Sequence, residues 1–366
     1  MDSPTPASTP APSSLDRARR EWLAGLIRSH RLAPSARSAL ELAQGLWRCG
    51  EYREAWPRFV EARDRAPELA ATHLALLRAA SMLALREDEA VALETALRAH
   101  PQDPQIALRA ALAEVPGALE RARTRLSPLR DDPVCADYAL ALDIVAGDRS
   151  QETIEAVLAD PRLDPGRRAR WQALRWACRH ADGPGRHFGL PSRVLERGIE
   201  AATGAGLAIE CGVYFGRSLD HIAARLDQPV HGFDSFQGLP EDWKAGEGAG
   251  SYSTAGRLPR VADNVTLHPG WFEQTLPPFL DAHPGPVRLL HVDCDIYSST
   301  RTVLEAVAPR LRAGSVIVFD DMLGYPGYEA HELRAFEERV ERDGLRWELL
   351  AACLLGREVA VRILAR

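Results

Sequence analysis

Leu207-Ala-Ile-Glu-Cys-Gly-Val-Tyr-Phe-Gly-Arg-Ser218 is a β-rich run that ends in a glycine-bearing turn and opens a helix. In open α/β sheets such a turn lies at the carboxyl edge, where nucleotides are held. Downstream, residues 230–234, 265–268, 287–292 and 315–320 are further short β-rich runs separated by helical stretches. That alternation predicts βαβ units and a mainly parallel sheet.

Upstream the texture differs. Residues 15–180 are rich in Ala, Leu, Arg and Glu with helical periodicity, which predicts an almost wholly helical half. Gly50, Tyr52, Ala55, Phe59, Ala62 and Pro67 have the spacing of the second helix of a tetratricopeptide repeat, and Ala96 and Pro101 recur 34 residues after Ala62 and Pro67. Leu77 and Glu89 stand where small residues are usual, so the repeat is degenerate. The turn-formers of Ala181-Asp-Gly-Pro-Gly-Arg-His-Phe-Gly-Leu-Pro191 mark a hinge and the domain boundary. The expected organisation is a disordered tail over 1–14, a tetratricopeptide-like helical domain over 15–183 and an α/β domain over 184–366.

Composition narrows the class. The 366 residues carry 45 basic and 51 acidic side chains, a formal net charge of −6. The excess is confined to residues 191–366 (−7, against +1 before them), so a cationic ligand suits that half. A nucleic-acid protein would need a basic stripe, and none is present. No apolar run is long enough to span a bilayer. Six scattered cysteines without metal-ligand spacing predict buried thiols in a reducing cytoplasm.

A dinucleotide pyrophosphate needs bare backbone at the position two after the first glycine of the turn, and Tyr214 stands there. The Glu-x-Gly-x-x-x-Gly form (Glu210, Gly212, Gly216) suits a phosphate-free ligand with a cationic end, such as S-adenosylmethionine. Asp234, at the end of the next strand, is placed to bond a ribose diol or to cap the turn that follows. Two later strands run out into acids: Leu289-Leu-His-Val-Asp293-Cys-Asp295-Ile-Tyr297 and Val316-Ile-Val-Phe-Asp320-Asp321. If those strands are neighbours, their acids converge, and crowded carboxylates repel unless protons or a cation lie between them. Oxygen-only ligands favour a hard ion, Mg²⁺ above others.

Residues from about 195 to 364 resemble the macrocin O-methyltransferase family. The matching stretches are Glu210–Ser218, Gly232-Phe-Asp-Ser-Phe-Gln-Gly-Leu-Pro240, Gly270-Trp-Phe-Glu-Gln-Thr-Leu-Pro277, His291-Val-Asp-Cys-Asp-Ile-Tyr-Ser-Ser-Thr300 and Val318-Phe-Asp-Asp321. The resemblance implies a Rossmann-like class I methyltransferase domain with a mainly parallel seven-stranded sheet. It implies cofactor contacts around Glu210, Gly212, Tyr214, Gly216, Ser218, Asp234, Ser235, Phe236 and Trp271. It implies metal ligation by Asp293, Asp320 and Asp321, with Asp295 as general base. The helical half lies outside the family pattern, and Met322-Leu-Gly-Tyr-Pro-Gly-Tyr328 diverges from it.

The expected activity is therefore metal-assisted methylation of a sugar hydroxyl on a glycoside, natural product or glycan precursor. The alternatives are a peptide carboxylate or hydroxyl docked by the helical half, or a non-catalytic adaptor that only binds cofactor; a nicotinamide dehydrogenase is the weakest. Residues 239–260, with four glycines and no periodicity, form an expected lid. His331 and Glu332 open a helix near the acids, where an acid ordinarily complements the helix dipole. His291, Cys294, Trp171 and Trp176 are expected to be packed. Homo-oligomerisation is left open by the sequence.

Overall fold

The computed structural model describes residues 14–365. The expected tail, apart from Ser14, lies outside them. The helical half comprises α1 (Ser14–Leu32), α2 (Ala36–Arg48), α3 (Tyr52–Arg65), α4 (Ala70–Met82), α5 (Arg86–Ala99), α6 (Pro104–Glu114), α7 (Leu119–Leu126), α8 (Ala136–Ala146), α9 (Glu152–Leu158) and α10 (Pro165–His180). Their ends are chemically marked. Ser35 and Ser38 form a reciprocal capping box on α2, and Asp103 and Asp164 cap α6 and α10, each followed by a proline.

The helices α2, α4 and α6 begin at Ala36, Ala70 and Pro104, 34 residues apart, and α3 and α5 begin at Tyr52 and Arg86 with the same spacing. Ala43, Ala55, Ala62 and Ala96 are fully buried, so the paired helices approach closely. Glu89 is buried as well, and Arg193 of the α/β half donates to its Oε2 at 2.7 Å. The departure from a small residue there supplies an ion pair between the two halves.

The sheet half continues with β1 (His187–Phe188), α11 (Pro191–Ala201), β2 (Leu207–Cys211), α12 (Arg217–Ala223), β3 (Val230–Asp234), β4 (Val265–Pro269), α13 (Phe272–Ala282), β5 (Val287–Val292), α14 (Tyr297–Val307), β6 (Val316–Phe319), α15 (Glu332–Asp343), β7 (Arg346–Cys353) and β8 (Val359–Ala365). The strand order is β1-β7-β8-β6-β5-β2-β3-β4, with β8 antiparallel to both its neighbours and every other pairing parallel. The sheet thus has eight strands where seven were expected. The extra one, β1, is two residues long and lies inside the turn-former segment, too short to leave a period in the sequence.

The order reverses between β2 and β5, which places the switch point there. Cys211 pairs with Val292, and Val292 with Phe319, so the residues following β2, β5 and β6 emerge side by side. The ladder extends one step past the strands: Asp293 N–H donates to the Cys211 carbonyl and Asp320 N–H to the Val292 carbonyl, both at 2.9 Å. Phe233, Phe319 and the apolar residues of β5 are buried beneath helices, each large side chain contributing roughly 1.5–3 kcal/mol.

The two halves are packed together. Leu190 shares a core with Trp171 and Leu174 of α10 and with Leu354 and Leu355. Trp176 stacks on Trp347 of β7 at 6.0 Å between ring centroids. Glu196, only 2% exposed, takes Arg86 from the helical half together with Arg193 (3.0 Å) and Arg225 (2.8 Å). The segment read as a hinge is therefore seated against both halves. Among the described residues no helix is long and apolar enough to cross a membrane.

Candidate active site

The turn after β2 is built around one glycine and one carboxylate. Gly212 has φ +93°, and a Cβ there would collide with the Asp293 carbonyl, so only glycine lets β2 and β5 close at the switch point. Asp234 Oδ2 accepts the backbone N–H groups of Val213 and Tyr214, each at 2.8 Å, and its Oδ1 accepts that of Phe236 at 2.6 Å. The turn's amides are thus occupied by a protein carboxylate and are not offered to a phosphate. Gly216 (φ +79°) then starts α12.

Above the turn opens a cleft of about 240 Å³. Gly212, Tyr214, Asp234, Ser235 and Trp271 line it, as do Asp293, Asp295, Asp320 and Asp321. Glu210, Gly216, Ser218 and Phe236 do not. Glu210 is fully buried on β2, where His291 Nδ1 lies 2.8 Å from its Oε1 and Oε2 has no partner; burial pushes its carboxyl up, against the pull of His291. Phe236 is a core residue. His291 and Cys294 are buried, as expected, while Trp171 and Trp176 pack in the core and at the interface. Arg217, Tyr252 and Phe272 also line the cleft. Arg217 and Phe272 fall inside the matching stretches and Tyr252 inside the expected lid, but none of the three was singled out as a site residue.

Carboxylate oxygens of Asp293, Asp295 and Asp321 all lie within 4.8 Å of one another. Asp295 reaches this cluster from a left-handed backbone, φ +65°. Asp320 lies beside the cluster without belonging to it. Burial first, and the neighbouring acids second, push Asp293 and Asp295 far above the ordinary carboxylate range. Asp321 is pushed up in the same way, opposed by Arg357, whose Nη1 is 2.6 Å from its Oδ1. The Asp321 N–H donates to Glu332 Oε2 at 3.2 Å, and burial drives Glu332 well up, so this carboxyl is held toward its neutral form. The donor set, oxygen only and crowded, fits a hard divalent cation better than any soft metal.

Residues 239–260 wall the cleft through Leu239, Pro240 and Tyr252. Trp243 is buried with its Nε1 3.4 Å from the Tyr325 hydroxyl, and Lys244, the lone lysine of the chain, sits 3.2 Å from the Trp243 ring centroid. Its charge acts on Asp295 and Asp321, a placement the sequence signalled only by the rarity of lysine. The segment is tied to the helical half: Arg257 donates to the Cys49 carbonyl and to Glu51 (3.2 and 2.9 Å), and Arg19 to the Ser253 carbonyl (2.9 Å).

A family model described as a methyltransferase domain matches residues 209–322, the stretch holding the turn and both acid pairs. The 8-demethyl-8-(2,3-dimethoxy-alpha-L-rhamnosyl)-tetracenomycin-C 4'-O-methyltransferase of Streptomyces olivaceus is 41% identical over 59 residues, 16% of this chain and 22% of that one. The demethyldecarbamoylnovobiocin O-methyltransferase of Streptomyces niveus is 28% identical over 148 residues, 33% and 55%. The mycinamicin III 3''-O-methyltransferase of Micromonospora griseorubida is 30% identical over 188 residues, 43% and 69%. The chain thus spans about a fifth and about half of the first two relatives' lengths, and about two thirds of the third. Among solved structures, the calicheamicin methyltransferase aligns over 70% of this chain and 96% of its own, at 21% identity and a TM-score of 0.37. By the coverage and identity of the mycinamicin III relative, together with the matched methyltransferase domain, this chain belongs to the same methyltransferase family.

Proposed function

We propose that the protein is an S-adenosylmethionine-dependent O-methyltransferase whose acceptor is a sugar hydroxyl of a glycosylated small molecule. The observation that carries this reading is the meeting, in one cleft, of a phosphate-excluding turn fastened by Asp234 and the trio Asp293, Asp295 and Asp321. The activities for which the tetracenomycin and mycinamicin relatives are named support a glycoside acceptor.

When bound, S-adenosylmethionine supplies the electrophilic methyl group, and a divalent cation supplies the charge that lowers a hydroxyl's pKa. Asp293 and Asp321 would hold that cation, with Asp320 alongside. Asp234 fixes the turn beneath the cofactor, and its Oδ1, which accepts only the Phe236 N–H, keeps a lone pair for a ribose hydroxyl. Asp295 takes the acceptor hydroxyl's proton as the new C–O bond forms and the S–CH₃ bond breaks, its electron pair staying on the sulfur of the departing S-adenosylhomocysteine. Trp271, Leu239 and Tyr252 narrow the cleft and restrict water. Holding oxygen and methyl carbon in line is worth several kcal/mol, about 7 at the lower end of measured effective molarities. The 34-residue spacing of helix starts supports reading α2–α5 as degenerate tetratricopeptide-like repeats.

The test is a calorimetric titration of the full chain with S-adenosylhomocysteine and with NAD, followed by methyl transfer to rhamnosylated acceptors and to mycinamicin III. Stoichiometric binding of S-adenosylhomocysteine and methylation of a glycoside are expected. Binding of NAD with no binding of S-adenosylhomocysteine overturns the reading.

A further inference from the structure

Between α4 and α6 of the helical half and α11 and α12 of the sheet half lies a second cavity of about 400 Å³. Arg217 and Asp320 line both it and the catalytic cleft, so the two spaces adjoin. Arg78, at its mouth, also lines a groove on the helical half.

The charges on its walls are unbalanced. Arg78, Arg109 and Arg217 face Asp320 and Glu358. The other acids nearby already face arginines: Glu89 takes Arg193 on Oε2 at 2.7 Å, with its buried Oε1 unpartnered and 4.0 Å from Arg109, and Glu196 takes Arg86, Arg193 and Arg225. Arg109 comes no nearer than 4.0 Å to Glu89; it gives Nη2 to the Leu77 carbonyl at 3.4 Å and leaves a buried Nε without a partner. His221, with 4% of its side chain exposed, has no partner for Nε2. Burial, with Arg225 and Arg217 close by, holds its ring neutral, so it brings a single N–H to the wall. Buried guanidinium donors without acceptors are expensive to leave unmade, and guanidinium forks match the oxygens of phosphates and carboxylates.

We propose that this cavity between the two halves binds an anionic group of the methyl acceptor, a phosphate or a carboxylate, while the reacting hydroxyl lies at Asp293, Asp295 and Asp321. The proposal rests on the methyl-transfer reading above. It gives the helical half a role in the reaction: α4 and α6 supply two of the three arginines. The acceptor is then a sugar phosphate or a uronic-acid glycoside, and a neutral glycoside fills the cleft without filling the cavity.

The experiment is a calorimetric titration of the full chain, saturated with S-adenosylhomocysteine, with inorganic pyrophosphate, with glucuronate and with glucose. It is repeated on Arg109→Gln and on Arg78→Gln, the latter an exposed side chain whose loss leaves the fold intact. Pyrophosphate or glucuronate is expected to bind where glucose does not, and each substitution to weaken that anion about tenfold with S-adenosylhomocysteine affinity unchanged. Whichever anion responds identifies the source of the charge. Anions that bind no better than glucose, or equally to all three proteins, overturn the proposal. Failure of the wild type to bind S-adenosylhomocysteine overturns the methyl-transfer reading and the proposal with it.

Discussion

Asp234 Oδ2 accepts the backbone N–H of Tyr214 at 2.8 Å, across 20 residues of chain, and that of Val213 at the same distance. The strand-end acid is therefore the fastening of the turn as well as a lining of the cleft. Asp234→Ala strips three amides, those of Val213, Tyr214 and Phe236, of their acceptor, with a penalty of about 1–3 kcal/mol each where they stay buried. A fall in the urea unfolding midpoint and a loss of at least about tenfold in S-adenosylhomocysteine affinity are expected. Unchanged affinity would mean that the turn holds its shape without the carboxylate.

Gly212→Ala places a Cβ against the Asp293 carbonyl at a left-handed φ of +93°. Two independent penalties combine, steric and conformational, and a destabilisation of about 2 kcal/mol or more is expected. Thermal unfolding of the purified variant measures it. A variant as stable as the parent would mean that β2 and β5 do not close as described.

Glu196→Gln removes the shared counter-ion of Arg86, Arg193 and Arg225 at a site 2% exposed. Breaking a buried ion network from one side is expected to destabilise by about 3 kcal/mol. Because Arg86 comes from the helical half, the two halves should also lose cooperativity, which proteolysis between them during urea unfolding detects. A change within about 0.5 kcal/mol, typical of surface sites, would show that solvent replaces the carboxylate.

The carboxyls of Asp293, Asp295 and Glu332 are all raised, burial being the first cause of each. The folded chain then binds more protons than the unfolded one above the ordinary carboxylate range. Stability without added metal should therefore fall as pH rises from about 4 toward the raised folded-state values. Mg²⁺ competes with those protons, so its stabilising effect should grow with pH. Melting temperatures across pH, with and without Mg²⁺, test this, and Asp295→Asn should flatten the slope. A slope that rises with pH and ignores Asp295 would contradict the assignment.

Much of this site was legible before any coordinates. The acids at 293 and 320 were expected to converge if their strands were neighbours, and β5 and β6 are paired in register. The glycine turn and Asp234 sat where an open α/β sheet puts them. The side on which each acid falls was not legible. Past the end of a strand the alternation of faces no longer applies, so the left-handed backbone of Asp295 and the split between Asp320 and Asp321 depend on local turns. Glu210, Ser218 and Phe236 carry the expected residue types but do not line the cleft: Glu210 is buried on β2, Ser218 in the first turn of α12 and Phe236 in the core. Glu89 read as a flaw in a helical repeat, and only the packing of the halves gives it Arg193 as its partner.

The claim that Asp293 and Asp321 hold one divalent ion beside Asp295 is tested most directly by calorimetric titration of Mn²⁺ into the chain saturated with S-adenosylhomocysteine. The wild type and Asp321→Asn are compared at one pH. One Mn²⁺ per wild-type chain is predicted, with affinity reduced at least about tenfold by the substitution. No saturable Mn²⁺ binding to the wild type, or equal binding by both proteins, would contradict it.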